Sequence, residues 1–414
     1  MHDILPADLP LWQKLERTVA DVFARYGFAE IRVPMVEKTE LFARAIGAAT
    51  DVVEKEMYSF TDRNGDQLSL RPEGTAGVVR AVLQNNLLYS TPLRLWYCGA
   101  MFRRERPQKG RTRQFHQVGA EVFGAAGPDI DAELLAMSQR IWAELGIEGL
   151  RLEINSLGTS SERQVYRGAL KSYFSLHLAL LDEDSINRLE RNPLRILDSK
   201  ASSMQQVIAG APSFHDFLGE ESRAHFDQLR RYLDFLGVPH TVNPHLVRGL
   251  DYYSHTVFEW ITEQLGAQGT VCAGGRYDGL VELQGGKPWP GIGFAMGQER
   301  LVELMRAKGE VKVAAPHVYL VMVGDETTPH GLEIAETLRR EIPSLRILAN
   351  LGGGSFKTQF KRADRSGAEL ALVLGEEELQ RKVVAIKPLR AEGSQEHVAF
   401  QDLQNWLSEW LRRN

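Results

Sequence analysis

The spacing of apolar residues predicts a helix followed by short strands at the start of the chain. Apolar side chains recur at helical spacing over residues 8–26, at Leu11, Trp12, Leu15, Val19, Val22, Phe23 and Tyr26. The segment FAEIRVP (28–34) predicts a strand that ends at Pro34, because proline cannot donate to a sheet. MYSF and QLSL flank TDRNGD and predict a hairpin, since Asn64 and Gly65 tolerate positive φ in a tight turn.

Two longer segments, 93–105 and 113–124, predict strands on either side of a short loop. No crossover helix separates them, so they can pair only antiparallel. From about residue 160 to 236 the chain is rich in Leu, Ser, Arg and Glu and predicts a helical insertion. Strand patterns return in three segments, 256–261, 269–275 and 291–297. The last of these leads into an amphipathic helix, QERLVELMRA.

A boundary near residues 310–316 precedes an alternating pattern of strands and helices that runs to the end of the chain. Strands VYLVMVG, LRILAN, AELALVLG and KVVAIKP alternate with helices around 329–341 and 355–366, the second capped by Ser355. Such an order is typical of a small α/β domain. We therefore expect two domains, 1–313 and 314–414, with the insertion inside the first.

Composition points to an ordinary globular protein. The 414 residues are 43% apolar and 25% charged, as in soluble domains. Only two cysteines occur, Cys98 and Cys272, without a CxxC spacing. We therefore expect no disulfide framework, no thiolate zinc site and a reducing, cytoplasmic setting. No signal peptide is evident, and the most apolar window, 313–324, is too short for a membrane span.

The loop between the two long strands is strongly basic, although the chain has a net charge of −5. Within FRRERPQKGRTRQFHQVGAEVFG (102–124), six cations stand against Glu105 in the first thirteen residues. Strand alternation places Phe115, Gln117, Gly119 and Glu121 on one face, with Gly119 leaving room for another group against the sheet. Arginine, carboxylate and aromatic side chains on one face suit a nucleotide. The alternative is a solvated, salt-bridged hairpin.

Four other segments carry candidate chemistry. In LRPEGT (70–75), Glu73 and Thr75 could hold an ammonium group, or Thr75 could cap the following helix. LVRGLDYYSHTVFEW (246–260) and AGGRYDGL (273–280) combine glycines with Arg, Tyr and Asp, which is also ordinary turn chemistry. GIGFAMGQERL (291–301) allows close approach of a ligand but lacks the GxGxxG and P-loop patterns.

Together these segments closely resemble the histidyl-tRNA synthetases, a family of class II aminoacyl-tRNA synthetases, over nearly the whole chain. Residues 102–124 are similar to the family's motif 2, GIGFAMGQERL to its motif 3, and the helix and strand ending at Pro34 to the dimer-forming motif 1. LVRGLDYYSHTVFEW and AGGRYDGL resemble its two histidine-specific motifs. The resemblance implies an α+β fold: an antiparallel sheet flanked by helices, a helical insertion and a C-terminal α/β anticodon-binding domain.

The resemblance also implies a function, the ATP-dependent attachment of L-histidine to tRNA(His) through histidyl-adenylate, by a homodimer. Mg²⁺ would accompany ATP as part of the substrate, with no metal site of the protein's own. Arg103 and Arg248 are implied as catalytic residues, with Arg248 in the place of a metal ion that related enzymes use. The implied ATP contacts are Arg103, Glu105, Phe115 and Arg300.

The implied histidine contacts form a larger set: Glu73, Thr75, Arg103, Gln117, Glu121, Arg248, Tyr252, Tyr253 and Tyr277. Within it, Glu121 and Tyr253 would face the imidazole, which has one donor and one acceptor nitrogen when neutral. Glu73, Thr75 and Gln117 would hold the α-ammonium group. A pocket that hydrogen-bonds its substrate in this way discriminates by roughly 10⁴–10⁵, which makes editing unnecessary.

The expected partner is tRNA(His), at two places. Arg106 and Gln108 would touch its terminal nucleotides, beside ATP, because phosphates attract basic loops. The helical insertion would hold the acceptor arm, and the C-terminal domain, with Lys357, Lys361 and Arg362 on one helical face, would read the anticodon. The family usually carries a few more residues before the DILP segment, including a short β piece, and this departure concerns the N-terminal interface contacts and not the active site.

Two other functions fit the same segments. One is a catalytically inactive, histidine-sensing paralogue such as the regulatory subunit of ATP phosphoribosyltransferase, which typically lacks the anticodon-binding domain and some nucleotide-site arginines. Here Arg103, Arg248 and Arg300 are present, and about a hundred C-terminal residues follow. The other is a class II ligase for a different amino acid.

Overall fold

The chain forms two units of structure, Met1–Val311 and Lys312–Asn414. The computed structural model describes residues 2–47, 50–90, 92–105, 111–197, 199, 201–266, 269–309 and 315–413. Both units combine helices with sheets, and their fold class is the predicted α+β. Among the described helices, none has the length and apolar character needed to cross a membrane.

The strands of the first unit are β1 (Ala29–Glu30), β2 (Val36–Lys38), β3 (Tyr58–Thr61), β4 (Gln67–Leu70), β5 (Leu93–Phe102), β6 (Gln114–Phe123), β7 (Arg151–Ser156), β8 (His240–Val242), β9 (Ser254–Ile261), β10 (Thr270–Arg276) and β11 (Gly291–Gly297). Eight of them form one sheet in the order β1-β5-β6-β11-β10-β9-β7-β8. Its central pairs are antiparallel, as predicted, whereas the edge pairs β1/β5 and β7/β8 are parallel. The predicted hairpin is confirmed, because β3 and β4 pair antiparallel in a small sheet with β2.

The helices of the first unit are α1 (Leu9–Arg25), α2 (Thr39–Ile46), α3 (Thr75–Gln84), α4 (Pro128–Leu145), α5 (Ser160–Leu176), α6 (Glu183–Arg191), α7 (Gln205–Ala209), α8 (Glu220–Leu236), α9 (Leu280–Leu283) and α10 (Gln298–Arg306). A single π-helical turn occurs at Val52–Glu56. Short 3₁₀ turns occur at Leu87–Tyr89, Leu178–Leu180, Pro193–Ile196, Ser202–Met204 and Phe214–Phe217.

The strand predicted over 28–34 is wrong in length, since only Ala29 and Glu30 have strand pairing. The buried guanidinium of Arg71 explains the early end. Its Nη1 donates to the carbonyl of Val33 at 2.8 Å, and its Nε donates to the carbonyl of Ala100 on β5 at 2.8 Å. Beyond Ile31, whose N–H still donates to the carbonyl of Trp96, a side chain therefore replaces the backbone ladder between this segment and β5.

The two faces of the large sheet have different environments. Val118, Ala120 and Val122 of β6 point into an apolar cluster with α1, α4, α8 and α10. Glu121, at an alternate position, lies on the other face beneath α3. One face of the sheet is therefore a hydrophobic core, and the opposite face is free to carry chemistry.

The predicted helical segment, about 160–236, contains two different parts. Tyr166, Leu170 and Phe174 of α5 belong to a cluster with the 3₁₀ turns that follow. Phe226 and the rest of the apolar stripe of α8 pack instead with the helices behind the large sheet. Glu162 joins the two parts, because it accepts from the backbone N–H of Gly219 at 2.6 Å while it caps α5.

A fully buried ion pair joins α4 to the end of β10. Arg276 and Asp131 approach to 2.6 Å, and their side chains are 1% and 0% exposed. The hydroxyl of Thr256 also donates to Asp131 at 2.6 Å, and Arg276 Nη1 donates to the carbonyl of Ala125 at 3.1 Å. These bonds hold the backbone immediately before Tyr277.

The second unit contains β12 (Val318–Val323), β13 (Ile347–Ala349), β14 (Leu370–Gly375), β15 (Val383–Pro388) and β16 (Glu396–Ala399), with α11 (Thr327–Glu341), α12 (Phe356–Arg365), α13 (Glu376–Arg381) and α14 (Leu403–Arg413). A 3₁₀ turn at Phe400–Asp402 precedes the last helix. The strand order is β13-β12-β14-β15-β16, with β12 parallel to both neighbours. The predicted α/β pattern is confirmed, although the sequence did not predict α13, β16 or α14.

The predicted basic face of α12 divides in the structure. Ser355 caps the helix as predicted, accepting from the backbone N–H of Thr358. Arg362 donates to the side chain of Asn350 and to the carbonyl of Gly353, so it supports the glycine-rich loop of its own unit. Lys357 and Lys361 lie exposed on the same helix.

The buried pair yields a prediction about stability. Arg276→Met leaves the Asp131 carboxylate buried without its cation, which should lower the free energy of unfolding of the first unit by about 3–5 kcal/mol. Urea unfolding followed by near-UV circular dichroism measures the loss. Arg306→Met, which removes a partly exposed pair with Asp8, is the matched control and should cost less than about 1 kcal/mol. Equal losses in the two variants would contradict the structural role of Arg276.

Candidate active site

The open face of the large sheet, together with α3 and the segment before β9, encloses a cavity of about 910 Å³. Eleven of the predicted site residues line it: Glu73, Thr75, Arg103, Glu105, Phe115, Gln117, Arg248, Tyr252, Tyr253, Tyr277 and Arg300. Glu121 is fully buried beneath this surface and is not among the lining residues. Arg106 and Gln108 lie outside the described residues.

Guanidinium groups from four parts of the chain line one end of this cavity: Arg103, Arg111, Arg248 and Arg300. Arg300 donates to the backbone carbonyl of Thr270, and burial together with the nearby Arg111 guanidinium lowers the pKa of Arg300. Arginine nevertheless keeps its proton in proteins. Cations crowded in a partly buried space favour an anionic ligand such as a polyphosphate.

Sequence reasoning missed Glu259, which orients one of these guanidinium groups, that of Arg248. One oxygen of its carboxylate accepts from Arg248, and the other accepts from the hydroxyl of Thr270 at 2.7 Å. A signal was present, because Glu259 is a charged residue between the apolar Phe258 and Trp260 of β9. Strand alternation places it on the face opposite the core.

The predicted adenine residues are already in contact with arginines. The guanidinium carbon of Arg103 lies 5.5 Å from the centre of the Phe115 ring, in cation–π geometry. The Nε atom of Arg103 donates to the carbonyl of Pro72 at 2.9 Å. The carboxylate of Glu105 accepts from Arg111 at 2.7 Å. These groups line a cavity and are partly buried, which favours the nucleotide hypothesis over the solvated, salt-bridged hairpin.

Glu121 joins three elements beneath the other end of the cavity. Its Oε1 accepts from the hydroxyl of Thr75 on α3 at 2.6 Å, and its Oε2 accepts from the hydroxyl of Tyr277 after β10. Gly293 of β11 lies under this carboxyl group, where a Cβ atom would approach Oε2 to 1.8 Å. The glycine that the sequence assigned to ligand approach is therefore required by Glu121 itself.

Burial raises the pKa of Glu121 from its ordinary value of 4.5 to about 8, against the bonds from Thr75 and Tyr277, and the charge of Glu73 adds to the rise. The group is therefore mostly a neutral carboxylic acid at pH 7. A neutral carboxyl group has one O–H donor as well as an acceptor. One of its two hydroxyl neighbours can then turn its own proton toward the cavity.

The alternative role of Thr75 as a helix cap is wrong, because its hydroxyl bonds to Glu121. Glu73 caps α3 instead, accepting from the backbone N–H groups of Thr75 at 2.7 Å and Ala76 at 2.8 Å. Its carboxylate is buried yet lines the cavity, so a cationic ligand group can still approach it.

The group that lies against Gly119 is Tyr97, a residue that sequence reasoning missed. A Cβ atom on Gly119 would approach the Tyr97 ring to 2.2 Å. The hydroxyl of Tyr97 and the Oε1 atom of Gln117 are buried and have no hydrogen-bond partner in the described part of the chain. Unpaired buried polar atoms are costly, and a ligand with N–H donors would satisfy them.

Two tyrosines complete this end of the cavity. The rings of Tyr252 and Tyr253 lie 4.6 Å apart, and the guanidinium of Arg248 lies 5.8 Å from the Tyr253 ring. The amino-acid end and the cationic end are therefore adjacent, with Arg248 between them.

Comparisons with known proteins agree with this geometry. Residues 1–301 match the family described as Histidyl-tRNA synthetase, and residues 317–410 match the family described as Anticodon binding domain. The crystal structure of S. aureus histidyl-tRNA synthetase is 35% identical over 98% of this chain and 97% of its own, with a TM-score of 0.82.

Two more distant structures share the fold. Histidyl-tRNA synthetase from Nostoc sp. PCC 7120 is 22% identical over 99% of this chain and 98% of its own, with a TM-score of 0.68. A Bacillus halodurans protein, described as an ATP phosphoribosyltransferase regulatory subunit/histidyl-tRNA synthetase, is 21% identical over 91% of this chain and 96% of its own, with a TM-score of 0.64.

The raised pKa of Glu121 predicts a pH dependence of stability. Because the folded pKa is about 8 and the ordinary value is 4.5, the folded protein keeps a proton that the unfolded chain releases in this window. Glu121 therefore destabilises the fold increasingly as pH rises through it. Glu121→Gln does not titrate, so its stability relative to wild type should rise from pH 5 to 8, by up to about 1.4 kcal/mol per pH unit.

The measurement is the difference in urea unfolding free energy between variant and wild type at each pH. Glu144→Gln is the control, because Arg25 lowers the pKa of that exposed carboxylate below its ordinary 4.5. The control should show no trend between pH 5 and 8. A flat difference for Glu121→Gln would show that Glu121 is ionised at neutral pH.

Proposed function

The chain belongs to the histidyl-tRNA synthetase family, and on this premise we propose that it ligates L-histidine to tRNA(His) through histidyl-adenylate. One observation carries the proposal. A single cavity is lined by guanidinium groups at one end and by Glu73, Thr75, Gln117 and the tyrosines at the other. Such a cavity can hold an amino acid and ATP with their reacting groups adjacent, beside Arg248.

In the first step, a carboxylate oxygen of histidine forms a bond to the α-phosphorus of ATP, and pyrophosphate leaves with the electrons of the broken P–O bond. Arg103 and Arg248 neutralise the charge that develops on the α-phosphate, while Arg300 holds the γ-phosphate. Positioned permanent charges of this kind accelerate a reaction without a protein nucleophile. Glu259 keeps Arg248 aimed at this point.

The adenine of ATP is proposed to lie against Phe115, with its amino group at Glu105. The Arg103 guanidinium lies over the Phe115 ring, and we propose that the base stacks on the opposite face of that ring. Mg²⁺ enters as the counter-ion of the ATP phosphates, where it keeps several waters and few protein ligands.

Histidine is proposed to bind over Glu121. Its ammonium group would bond to Glu73 and to the unpaired Oε1 atom of Gln117. Glu121 reaches the imidazole through the hydroxyls of Thr75 and Tyr277, to which it is bonded. Tyr253 and Tyr252 supply the other wall, so both ring nitrogens of the imidazole can be paired.

In the second step, a terminal ribose hydroxyl of the tRNA attacks the histidyl carbonyl carbon, an ester forms, and AMP leaves. Residues 1–313 would form the catalytic domain and 314–414 the anticodon-binding domain, with exposed Lys357 and Lys361 of α12 near RNA. Arg362 is withdrawn from that role because it holds its own loop. A cytoplasmic homodimer completes the proposal.

The second candidate is a histidine-sensing subunit of an ATP phosphoribosyltransferase. The fold shared with the Bacillus halodurans protein favours it, but that likeness extends to the fold alone. The presence of Arg103, Arg248 and Arg300 in one cavity favours the ligase. A stable complex with a phosphoribosyltransferase, together with absence of aminoacylation, would support the sensor.

The main test is histidine-dependent exchange of labelled pyrophosphate into ATP by the purified protein. Exchange should require L-histidine and should not occur with other amino acids, because the pocket leaves polar groups unpaired around the wrong side chain. Charging of tRNA(His) measures the second step. Exchange with another amino acid alone would assign a different ligase, and absence of any exchange would refute the ligase.

Arg248→Ala should slow adenylate formation on the order of 10²–10³-fold, as for loss of a preorganised charge donor. The measurement is a single-turnover rate at saturating histidine and ATP. Arg25→Ala, which removes a surface arginine paired with Glu144, is the control and should react at the wild-type rate. A near-normal rate for Arg248→Ala would remove it from the catalytic residues.

A further inference from the structure

A second cavity of about 420 Å³ lies on the other side of the segment that carries Arg248. Its walls are α5, the 3₁₀ turn at Pro193–Ile196 and residues 247–253 of the first unit. Val247, Arg248, Leu250 and Tyr253 line both cavities, so this short segment separates them. The volume is within the range of small-ligand pockets.

The second cavity is strongly basic. Four arginines line it, Arg163, Arg167, Arg195 and Arg248, and Asp251 is the sole carboxylate among its described lining residues. Arg195 pairs with Asp51, and Arg248 pairs with Glu259. Both of those carboxylates lie outside this cavity.

The other two arginines have backbone partners. Arg163 donates to the carbonyl of Tyr253, and Arg167 donates to the carbonyl of Arg191 at 2.8 Å. Within the described part of the chain, no ion pair with a carboxylate is formed by either. A charge-assisted bond to an anion would be stronger than these bonds to neutral carbonyls.

The electrostatics of Arg163 point the same way. Burial is the main factor that lowers the pKa of Arg163, the Asp251 carboxylate opposes this effect, and the Arg167 guanidinium makes the smallest contribution by lowering the pKa further. Because an arginine stays charged, two neighbouring cations remain in a partly buried space. Asp251 is shared by Arg163, Arg167 and Arg195, so the cavity keeps a net positive charge that an anion can neutralise.

The same arginines hold the backbone of the first cavity. Arg163 bonds to the carbonyl of Tyr253, and Arg195 Nη1 lies 3.4 Å from the carbonyl of Arg248. The side chains of Tyr253 and Arg248 line the candidate active site. An anion that attracts Arg163 or Arg195 therefore acts on the segment that positions both residues.

We propose that the second cavity binds a phosphate group and that the bound phosphate influences the position of residues 248–253. This inference rests on the proposed function, which supplies two sources of phosphate: the RNA backbone of tRNA and the pyrophosphate released in the first step. Arginine forks match phosphate oxygens bidentately. The position of the cavity, one wall away from the reacting groups, suits a phosphate of the acceptor strand.

Arg167→Gln tests the site without touching the backbone of Tyr253. Arg230→Gln, on the exposed face of α8 and outside both cavities, is the charge-matched control. Arg167→Gln should raise the KM for tRNA(His) roughly tenfold, the size of one charge-assisted bond. It should also reduce the salt dependence of tRNA affinity by about one phosphate contact. The control should change neither.

Histidine-dependent pyrophosphate exchange separates this inference from the function on which it rests. Absence of exchange in the wild-type protein refutes the ligase. If the wild-type protein shows exchange and Arg167→Gln leaves the KM for tRNA unchanged, inhibition by pyrophosphate decides the outcome. If Arg167→Gln weakens inhibition of adenylate formation by added pyrophosphate and leaves tRNA affinity unchanged, the phosphate is that of the product. If both quantities match the control, the second cavity is not a phosphate site.

A second variant tests the coupling. Arg163→Lys keeps a cation but loses the fork that reaches both the cavity and the Tyr253 carbonyl. It should raise the KM for tRNA and the KM for histidine together. An effect on histidine alone would mean that Arg163 only supports Tyr253, and the coupling would be refuted.

Discussion

The bonding of one buried carboxyl group holds the candidate active site together. Glu121 lies against the backbone of Gly293 and bonds to hydroxyls from α3 and from the segment after β10. Three parts of the chain that are distant in sequence therefore meet at one side chain. Burial keeps this group neutral near pH 7, which avoids an uncompensated charge and leaves a donor as well as an acceptor beneath the pocket. The histidine end of the proposed site depends on that arrangement.

The cationic end follows a different principle, in which charges are held by partners outside the reacting region. Glu259 and Thr270 fix Arg248 and Arg300 from behind. Fixed guanidinium groups need no reorganisation when negative charge develops, which is how preorganised sites lower barriers. The same logic extends to the second cavity, where Arg163 and Arg195 bond to the backbone on the opposite side of the segment around Arg248. A ligand in either cavity thus acts on shared residues.

Much of the fold could be predicted from the sequence because local patterns of apolar residues indicated it. Apolar periodicity located the long antiparallel pair, the later strands and the α/β order of the second unit. It failed where a side chain replaced strand pairing. Arg71 donates to the carbonyl of Val33, and the predicted strand ends after Glu30. Alternation along β6 correctly separated Val118 from Glu121.

What the sequence determined was the set of residue types on each face, because side chains alternate along a strand whatever the surroundings. The tertiary structure alone decided which of them meet. Tyr97 fills the space at Gly119, Glu259 accepts a hydrogen bond from Arg248, and Glu121 lies beneath the cavity wall. The first contact depends on the register of β5 against β6, the second on how the chain turns before β9, and the pKa of a buried group depends on burial that only the folded chain creates.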